Sequence, residues 1–150
     1  MIIGTPKLEM FKAKIKHIKP WFFFIIKYYF PYADFNRQNR GTVVVFNQTI
    51  YTKDPLSAPL YAHEIIHCEQ QKNFWGAIKW WKQYLKDPKF RYEQELESYQ
   101  MQYKVYCGME NDKEKRNRYL VFLAGILSGP LYKYCISFSQ AEMKIKKGNG

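Results

Sequence analysis

The chain has 150 residues, with 24 Lys and Arg against 13 Asp and Glu, which gives a formal net charge of +11. This length suits one domain with a sizeable core. A composition of 47% hydrophobic and 25% charged residues excludes a disordered or collagen-like chain. The odd number of cysteines, with no C-x-x-C pair, favours free thiols at Cys68, Cys107 and Cys135 in a reducing compartment. We therefore expect a cytoplasmic protein.

The N-terminal segment, residues 1–40, is basic and then aromatic. Its first half holds several lysines, namely Lys7, Lys12, Lys14, Lys16 and Lys19. An apolar aromatic run follows at 21–30, but it is interrupted by Lys27, is shorter than the roughly 20 residues of a membrane span, and lacks a signal-peptide cleavage site. It could form a core element that covers later helices, a partner-binding surface, or an interfacial membrane segment. Core packing is the preferred interpretation.

The positive charge favours acidic partners. No pattern of a nucleic-acid-binding motif is present, so nucleic acid is not expected as a partner. Because basic residues are interleaved with aromatic ones, an anionic membrane surface is the best acidic partner, and peripheral membrane contact is an alternative localisation.

A β-hairpin is predicted after the polar loop 31–41. The run 42–46 is β-branched, Asn47-Gln48 is a tight connection, and 49–52 is a second short strand. Besides a structural role, the free edge of such a hairpin could pair with an extended peptide.

The segment His63-Glu64-Ile65-Ile66-His67 places two histidines four residues apart around a glutamate. We expect a helix that begins at Asp54-Pro55 and ends near Gln71. On a helix, both imidazoles point to the same side, where they can bind one Zn²⁺. Glu64 lies beside that site, where a carboxylate could act as general base for hydrolysis.

The remaining pattern is helical. Asn73 is expected to cap the helix at 74–85, and Gly108 is expected to end the helix at 89–106. The predicted elements are helices at 74–85, 89–106 and 111–127, an apolar stretch at 131–138, and a disordered basic tail at 144–150.

A third metal ligand is expected from the helix at 89–106, since His17 lies far upstream among lysines. Glu93, Glu95 and Glu97 alternate there, and neighbouring members are about 200° apart on a helix. Only one register can therefore face the metal, which leaves the choice among the three open.

H-E-x-x-H followed one helix later by R-x-x-x-E-x-E-[small]-Y, from Arg91 to Tyr99, resembles the gluzincin group of zinc metallopeptidases and especially its small members. Gln70 and Gln71 after the first motif also match a feature common in that group. The resemblance covers roughly residues 41–103. It implies a zincin-like fold.

Carried over to this chain, the resemblance makes His63, His67 and Glu95 the zinc ligands and Glu64 the general base. Ser98 stands where the family has a small alanine. No residue matches the family's transition-state-stabilising His or Tyr unambiguously. The candidates for that role are Tyr92, Tyr99 and Tyr103, with Tyr99 taken as the site residue.

The expected architecture is α+β and predominantly helical, with a short hairpin before the H-E-x-x-H helix. One domain is divided into an N-terminal segment (1–40), a catalytic core (41–107), C-terminal helices (108–143) and a basic tail (144–150). The expected function is zinc-dependent hydrolysis of a peptide or protein substrate. The alternative is a non-catalytic module that zinc stabilises or that binds a partner or membrane surface.

Overall fold

The computed structural model describes residues 12–38 and 41–148, so predictions for Lys7, Arg40 and the last two residues of the tail lie outside the described residues. The strands are β1 (Lys14–Lys16), β2 (Val44–Phe46) and β3 (Thr49–Tyr51). The helices are α1 (Phe23–Tyr29), α2 (Ala58–Asn73), α3 (Ala77–Lys86), α4 (Pro88–Met109), α5 (Lys113–Leu127) and α6 (Phe138–Lys147), with a 3₁₀ turn at Pro130–Tyr132. The prediction of a predominantly helical α+β protein is confirmed.

The predicted hairpin is present. β2 and β3 are antiparallel, and Phe46 pairs with Thr49 across the two-residue loop. Asn47 and Gln48 have φ values of 49° and 69°, the left-handed conformations that a tight hairpin turn requires. β1 pairs in parallel with β3 and was not predicted, because it is only three residues long and all three are exposed in a lysine-rich segment.

Side chains from the helices anchor the outer edge of β2. The carbonyl oxygen of Val45 accepts hydrogen bonds from Gln71 Nε2 and Trp81 Nε1, both at 2.8 Å. Gln71 also accepts a hydrogen bond from the backbone N–H of Asn47 at 3.0 Å. Pairing of this edge with a peptide stays a prediction, and the Val45 carbonyl is already engaged.

The H-E-x-x-H helix, α2, begins later than predicted. Ser57 is its N-cap, with Oγ accepting from the N–H of Leu60, while Asp54 and Pro55 belong to the preceding turn. The Thr52 hydroxyl donates to the carbonyl oxygen of Asp54 at 2.8 Å, which holds that turn outside the helix. The start at Asp54-Pro55 was therefore wrong, because a better capping residue follows.

The α2–α3 connection also corrects a prediction. Asn73 is the last residue of α2 and does not cap α3, which starts after Gly76. Trp75 and Gly76 have φ values of 69° and 103°, and the N–H of Gly76 donates to the carbonyl of Gln71 at 3.1 Å. This left-handed pair ends one helix and reverses the chain, a role for which glycine is suited.

α4 begins at Pro88, one residue before the predicted start at 89, and Asp87 is its N-cap, since the Asp87 carboxylate accepts from the N–H groups of Lys89 and Phe90 at 3.0 and 3.1 Å. It continues to Met109, so Gly108 does not stop it. A Cβ at Gly108 would meet nothing within 4 Å, so this glycine is accommodated in the helix without a special conformation.

The largest core lies between α4, α5 and α6. Leu123 and Leu127 of α5 pack there with Ala141 and Ile145 of α6, all fully buried. The prediction of a disordered tail was wrong for residues 144–147. A capping box at Ser137 starts α6, and burial of Ile145 holds its last turns against the core.

α1 is a two-sided helix. Phe23 and Ile26 are buried beside Phe35 and Val44, whereas its other face is exposed. The core interpretation of the aromatic run therefore holds for one face only. Among the helices of the described residues, none has the length and apolar character needed to cross a bilayer.

Candidate metal centre

Three side chains from two packed helices meet inside the protein. His63 and His67 lie on one face of α2, and Glu95 points at them from α4. All three are buried, and their ligand atoms lie within 4.8 Å of one another. This group could hold a metal ion.

The distances in the group match those between the ligands of a tetrahedral ion. His63 Nε2 is 3.2 Å from His67 Nε2 and 2.9 Å from Glu95 Oε2, and His67 Nε2 is 3.3 Å from Glu95 Oε1. Metal–ligand bonds of about 2.0–2.1 Å at tetrahedral angles place neighbouring ligand atoms roughly 3.3 Å apart. The spacing of the three side chains is thus close to that of the ligands of one small ion.

Two glutamines orient the histidines. Gln102 Oε1 lies 2.8 Å from Nδ1 of His63, and Gln70 Oε1 lies 2.8 Å from Nδ1 of His67. Gln70 Nε2 donates to the carbonyl of Gln94 and to Glu97, which fixes the direction of that amide. Because an amide oxygen only accepts, each Nδ1 carries a proton, which leaves each Nε2 as the atom that can bind a metal in the centre.

Glu95 supplies the negative charge of the group. Tyr84 on α3 donates its hydroxyl to Glu95 Oε1 at 2.5 Å. Burial alone would raise the pKa of Glu95, but the charges of His67 and His63 outweigh it and hold that pKa well below its usual range. Burial would likewise lower the pKa of His67, yet Glu95 raises it to about 9. The pocket therefore favours a positive charge next to an ionised Glu95.

Glu64 lies beside the group and differs from Glu95 in its bonding. It is 7% exposed and lines the cleft described below, and its carboxylate makes no hydrogen bond to residues 12–38 or 41–148. Burial raises its pKa, while the nearby charges of His63 and His67 oppose that rise. A buried carboxylate that faces a cleft and has no donor among these described residues is available to take up a proton.

A cleft of about 870 Å³ opens onto the metal group. Val43 and Val45 of the hairpin line one part of it, and Phe122 and Ile126 of α5 line another. A molecule in this cleft would contact Glu64 and the open side of the two histidines.

The structure separates the three candidate tyrosines. Tyr99 lines the cleft and packs its ring against that of His63, with the centroids 4.8 Å apart. Burial raises the pKa of its phenol and that of Tyr132. Tyr92 and Tyr103 do not line the cleft and belong to the core between α4 and α5. Of the three, Tyr99 is the one at the metal group.

The other candidate ligands do not lie at the metal group. Glu93 and Glu97 are exposed, so of the three alternating glutamates only Glu95 faces the histidines. His17 is exposed, and its Nδ1 lies 3.0 Å from the Thr52 carbonyl. Cys68 packs in the core beneath the hairpin, where burial raises its pKa to about 12.

Several supporting residues carried no assigned role in the sequence. Tyr84 and Gln102 contact Glu95 and His63, and Trp80 packs its ring 5.4 Å from that of His67. Arg91 is buried and donates to the carbonyls of Tyr84 and Leu131, tying α4 to the end of α3 and to the 3₁₀ turn. Of these four residues, only Arg91 belongs to a sequence motif, the second one. Tyr84, Gln102 and Trp80 are part of no motif that could have identified them.

Comparisons of the chain with protein-family models, curated proteins and solved structures gave no match in any of the three. The geometry of His63, His67, Glu95 and Glu64 is therefore the evidence on function.

Proposed function

We propose that the protein is a zinc metallopeptidase with a zincin-like fold, in which His63, His67 and Glu95 hold the metal and Glu64 is the general base. The observation that carries this proposal is the placement of Glu64, a buried carboxylate that lines an open cleft, next to three converging ligands. A structural metal site is normally closed by four protein ligands, whereas a catalytic one has three.

Two imidazoles and one carboxylate suit zinc, but the same set also occurs in non-haem iron sites. What favours zinc is the glutamate between the histidines, since H-E-x-x-H supplies a hydrolytic base beside the metal. When bound, the zinc ion would act as a Lewis acid that polarises a carbonyl and lowers the pKa of water toward about 7.

The chain's own residues then supply proton transfer and orientation. Glu64 takes the proton from the attacking water and delivers it to the leaving amine of the peptide. Gln102 and Gln70 keep the imidazoles in the tautomer whose Nε2 faces the cleft. Tyr99, whose ring lies beside His63, is the candidate hydrogen-bond donor to the developing oxyanion.

The test is cleavage of a proteome-derived peptide pool, followed by mass spectrometry, with metal content measured by elemental analysis. We expect about one zinc per chain in the natural protein. The Glu64→Gln variant should bind zinc but cleave about 10²- to 10⁴-fold more slowly. Glu93→Gln, an exposed glutamate on α4, is the matched control and should behave as the natural protein does.

Three outcomes would contradict the proposal. Iron instead of zinc would place the site in another reaction class. Undiminished cleavage by Glu64→Gln would remove the general base. Stoichiometric zinc without cleavage of any peptide would instead fit a zinc-stabilised structural module.

A further inference from the structure

A row of apolar rings projects from α1 and its flanks. We call Trp21, Phe24, Ile25, Tyr28 and Tyr32 the aromatic stripe. Trp21 is 83% exposed, Tyr28 81% and Tyr32 92%. Phe24, Ile25 and Tyr28 follow the i, i+1, i+4 spacing of one helix face, and Trp21 precedes Phe24 by three residues. Exposed rings grouped in this way indicate an interaction surface.

The opposite face of the helix fixes this surface in place. Phe23 and Ile26 are 7% and 4% exposed. Phe23 packs its ring 6.0 Å from that of Phe35, in the cluster that also contains Val44 of the hairpin. The stripe is thus presented by a helix that is attached to the fold and is not simply an unpacked segment.

The segment that carries the stripe is basic. Residues 12–33 contain five lysines and no aspartate or glutamate. These lysines are all exposed, at Lys12, Lys14, Lys16, Lys19 and Lys27. Such a surface is complementary to an anionic one.

The sheet brings part of this charge next to the stripe. Trp21 contacts the ring of Phe22 with centroids 5.7 Å apart, and Phe22 contacts Tyr51 of β3 at 6.0 Å. Lys16 of β1 places its Nζ 6.0 Å from the centroid of that Tyr51 ring. Trp21 of the stripe and the ammonium group of Lys16 are therefore connected through two ring contacts.

We propose that the aromatic stripe and the lysines around it dock the protein on the surface of an anionic lipid bilayer. Trp and Tyr occupy the boundary between headgroups and acyl chains, and lysines extend from apolar surface toward lipid phosphates. Nucleic acid is the less fitting anionic partner. Residues 12–33 contain no arginine, the residue best suited to bidentate contacts with nucleic-acid phosphates and bases.

The proposal is tested by co-sedimentation of the full chain with vesicles of phosphatidylcholine alone and with 30% phosphatidylserine. We expect binding to the anionic vesicles only, weakening as salt rises from about 0.1 to 0.5 M because charges are screened. Replacing Lys14 and Lys16 by Glu should weaken binding at least about tenfold, given roughly 1 kcal/mol per interfacial lysine. The control pair, Lys113→Glu with Lys115→Glu on α5, should bind as the natural protein does.

A second pair of variants tests the rings. Trp21→Asn with Tyr28→Asn should abolish most vesicle binding. Trp75→Asn with Tyr134→Asn, which removes a tryptophan and a tyrosine exposed elsewhere at 85% and 70%, should leave it unchanged. Equal melting temperatures and metal contents verify that each variant is folded.

Four results would overturn the proposal: no vesicle binding, equal binding to neutral vesicles, undiminished binding after loss of Trp21 and Tyr28, or binding to an oligonucleotide in place of vesicles. Since neither the stripe nor the lysines enter the metal site, this test is independent of peptide cleavage.

Discussion

The metal centre and the aromatic stripe differ from the usual burial of side chains in opposite ways. Polar side chains are buried at the metal centre, and apolar side chains are exposed at the stripe. At the centre, imidazoles and carboxylates are buried, and Gln102, Gln70 and Tyr84 satisfy the atoms that face away from the ligand position. At the stripe, rings as large as Trp21 stay in solvent although neighbouring positions are buried. Buried polar groups with chosen partners indicate a small ligand, whereas an exposed apolar row indicates a large surface.

The strongest test of the metal centre is to remove the charge of one carboxylate. Replacing Glu95 by Gln should reduce zinc from about one per chain to near zero. The neutral amide lacks the negative charge that offsets the zinc ion when its other ligands are two neutral histidines. The measurement is elemental analysis after gel filtration. Glu93→Gln, two residues away and exposed, is the control. Equal zinc loss in both variants would contradict the assigned ligand.

A pair of adjacent phenylalanines tests the two faces of α1. Phe23 is 7% exposed and Phe24 65%. Phe23→Ala should lower the free energy of unfolding by about 3–5 kcal/mol, as for a core aromatic residue. Phe24→Ala should change it by no more than about 0.5 kcal/mol. Denaturant unfolding of both variants measures this, and similar costs would mean that the stripe is part of the core.

The sequence made the metal helix predictable, because spacing alone places His63 and His67 on one side of a helix. The third ligand was harder. Alternation left Glu93, Glu95 and Glu97 equivalent until the family resemblance selected one, and the structure buries that one. A register is fixed by packing between helices, which a local pattern does not encode.

The partners of the ligands were not predictable for a related reason. Gln102 is 39 residues from His63, and Tyr84 is 11 residues from Glu95 on another helix, so no local motif connects them. β1 and the last turns of α6 escaped prediction because their stability comes from pairing with β3 and from burial of Ile145. Their local sequences, rich in lysine, indicate only exposure.

Removing one of these distant partners should have an intermediate effect. Gln102→Leu leaves Nδ1 of His63 without its acceptor, so zinc affinity should fall about 10- to 100-fold, as for other outer-shell partners. Competition with a chromogenic chelator measures the change. Gln83→Leu makes the same substitution at an exposed position of α3 and should leave affinity unaltered. A matching loss in the control would mean that the leucine acts through general stability.

The smallest effect is expected from pH in the metal-free protein. Although burial opposes it, Glu95 raises the pKa of His67 from 6.5 to about 9. A raised pKa contributes stability that is fully present below pH 6.5 and is lost as pH rises toward about 9. The lowered pKa of Glu95 acts in the opposite direction, and its contribution is lost as pH falls below 4.5.

The melting temperature of chelated protein should therefore decline between pH 6.5 and about 9, whereas that of zinc-loaded protein should not, since its imidazoles are already unprotonated at Nε2. The change is limited to a few degrees because desolvation of the buried pair offsets part of its attraction. Thermal scans of both forms measure it. His67→Gln should flatten the decline, and His17→Ala, at an exposed histidine, should not. A decline that persists without His67 would assign the pH dependence to another group.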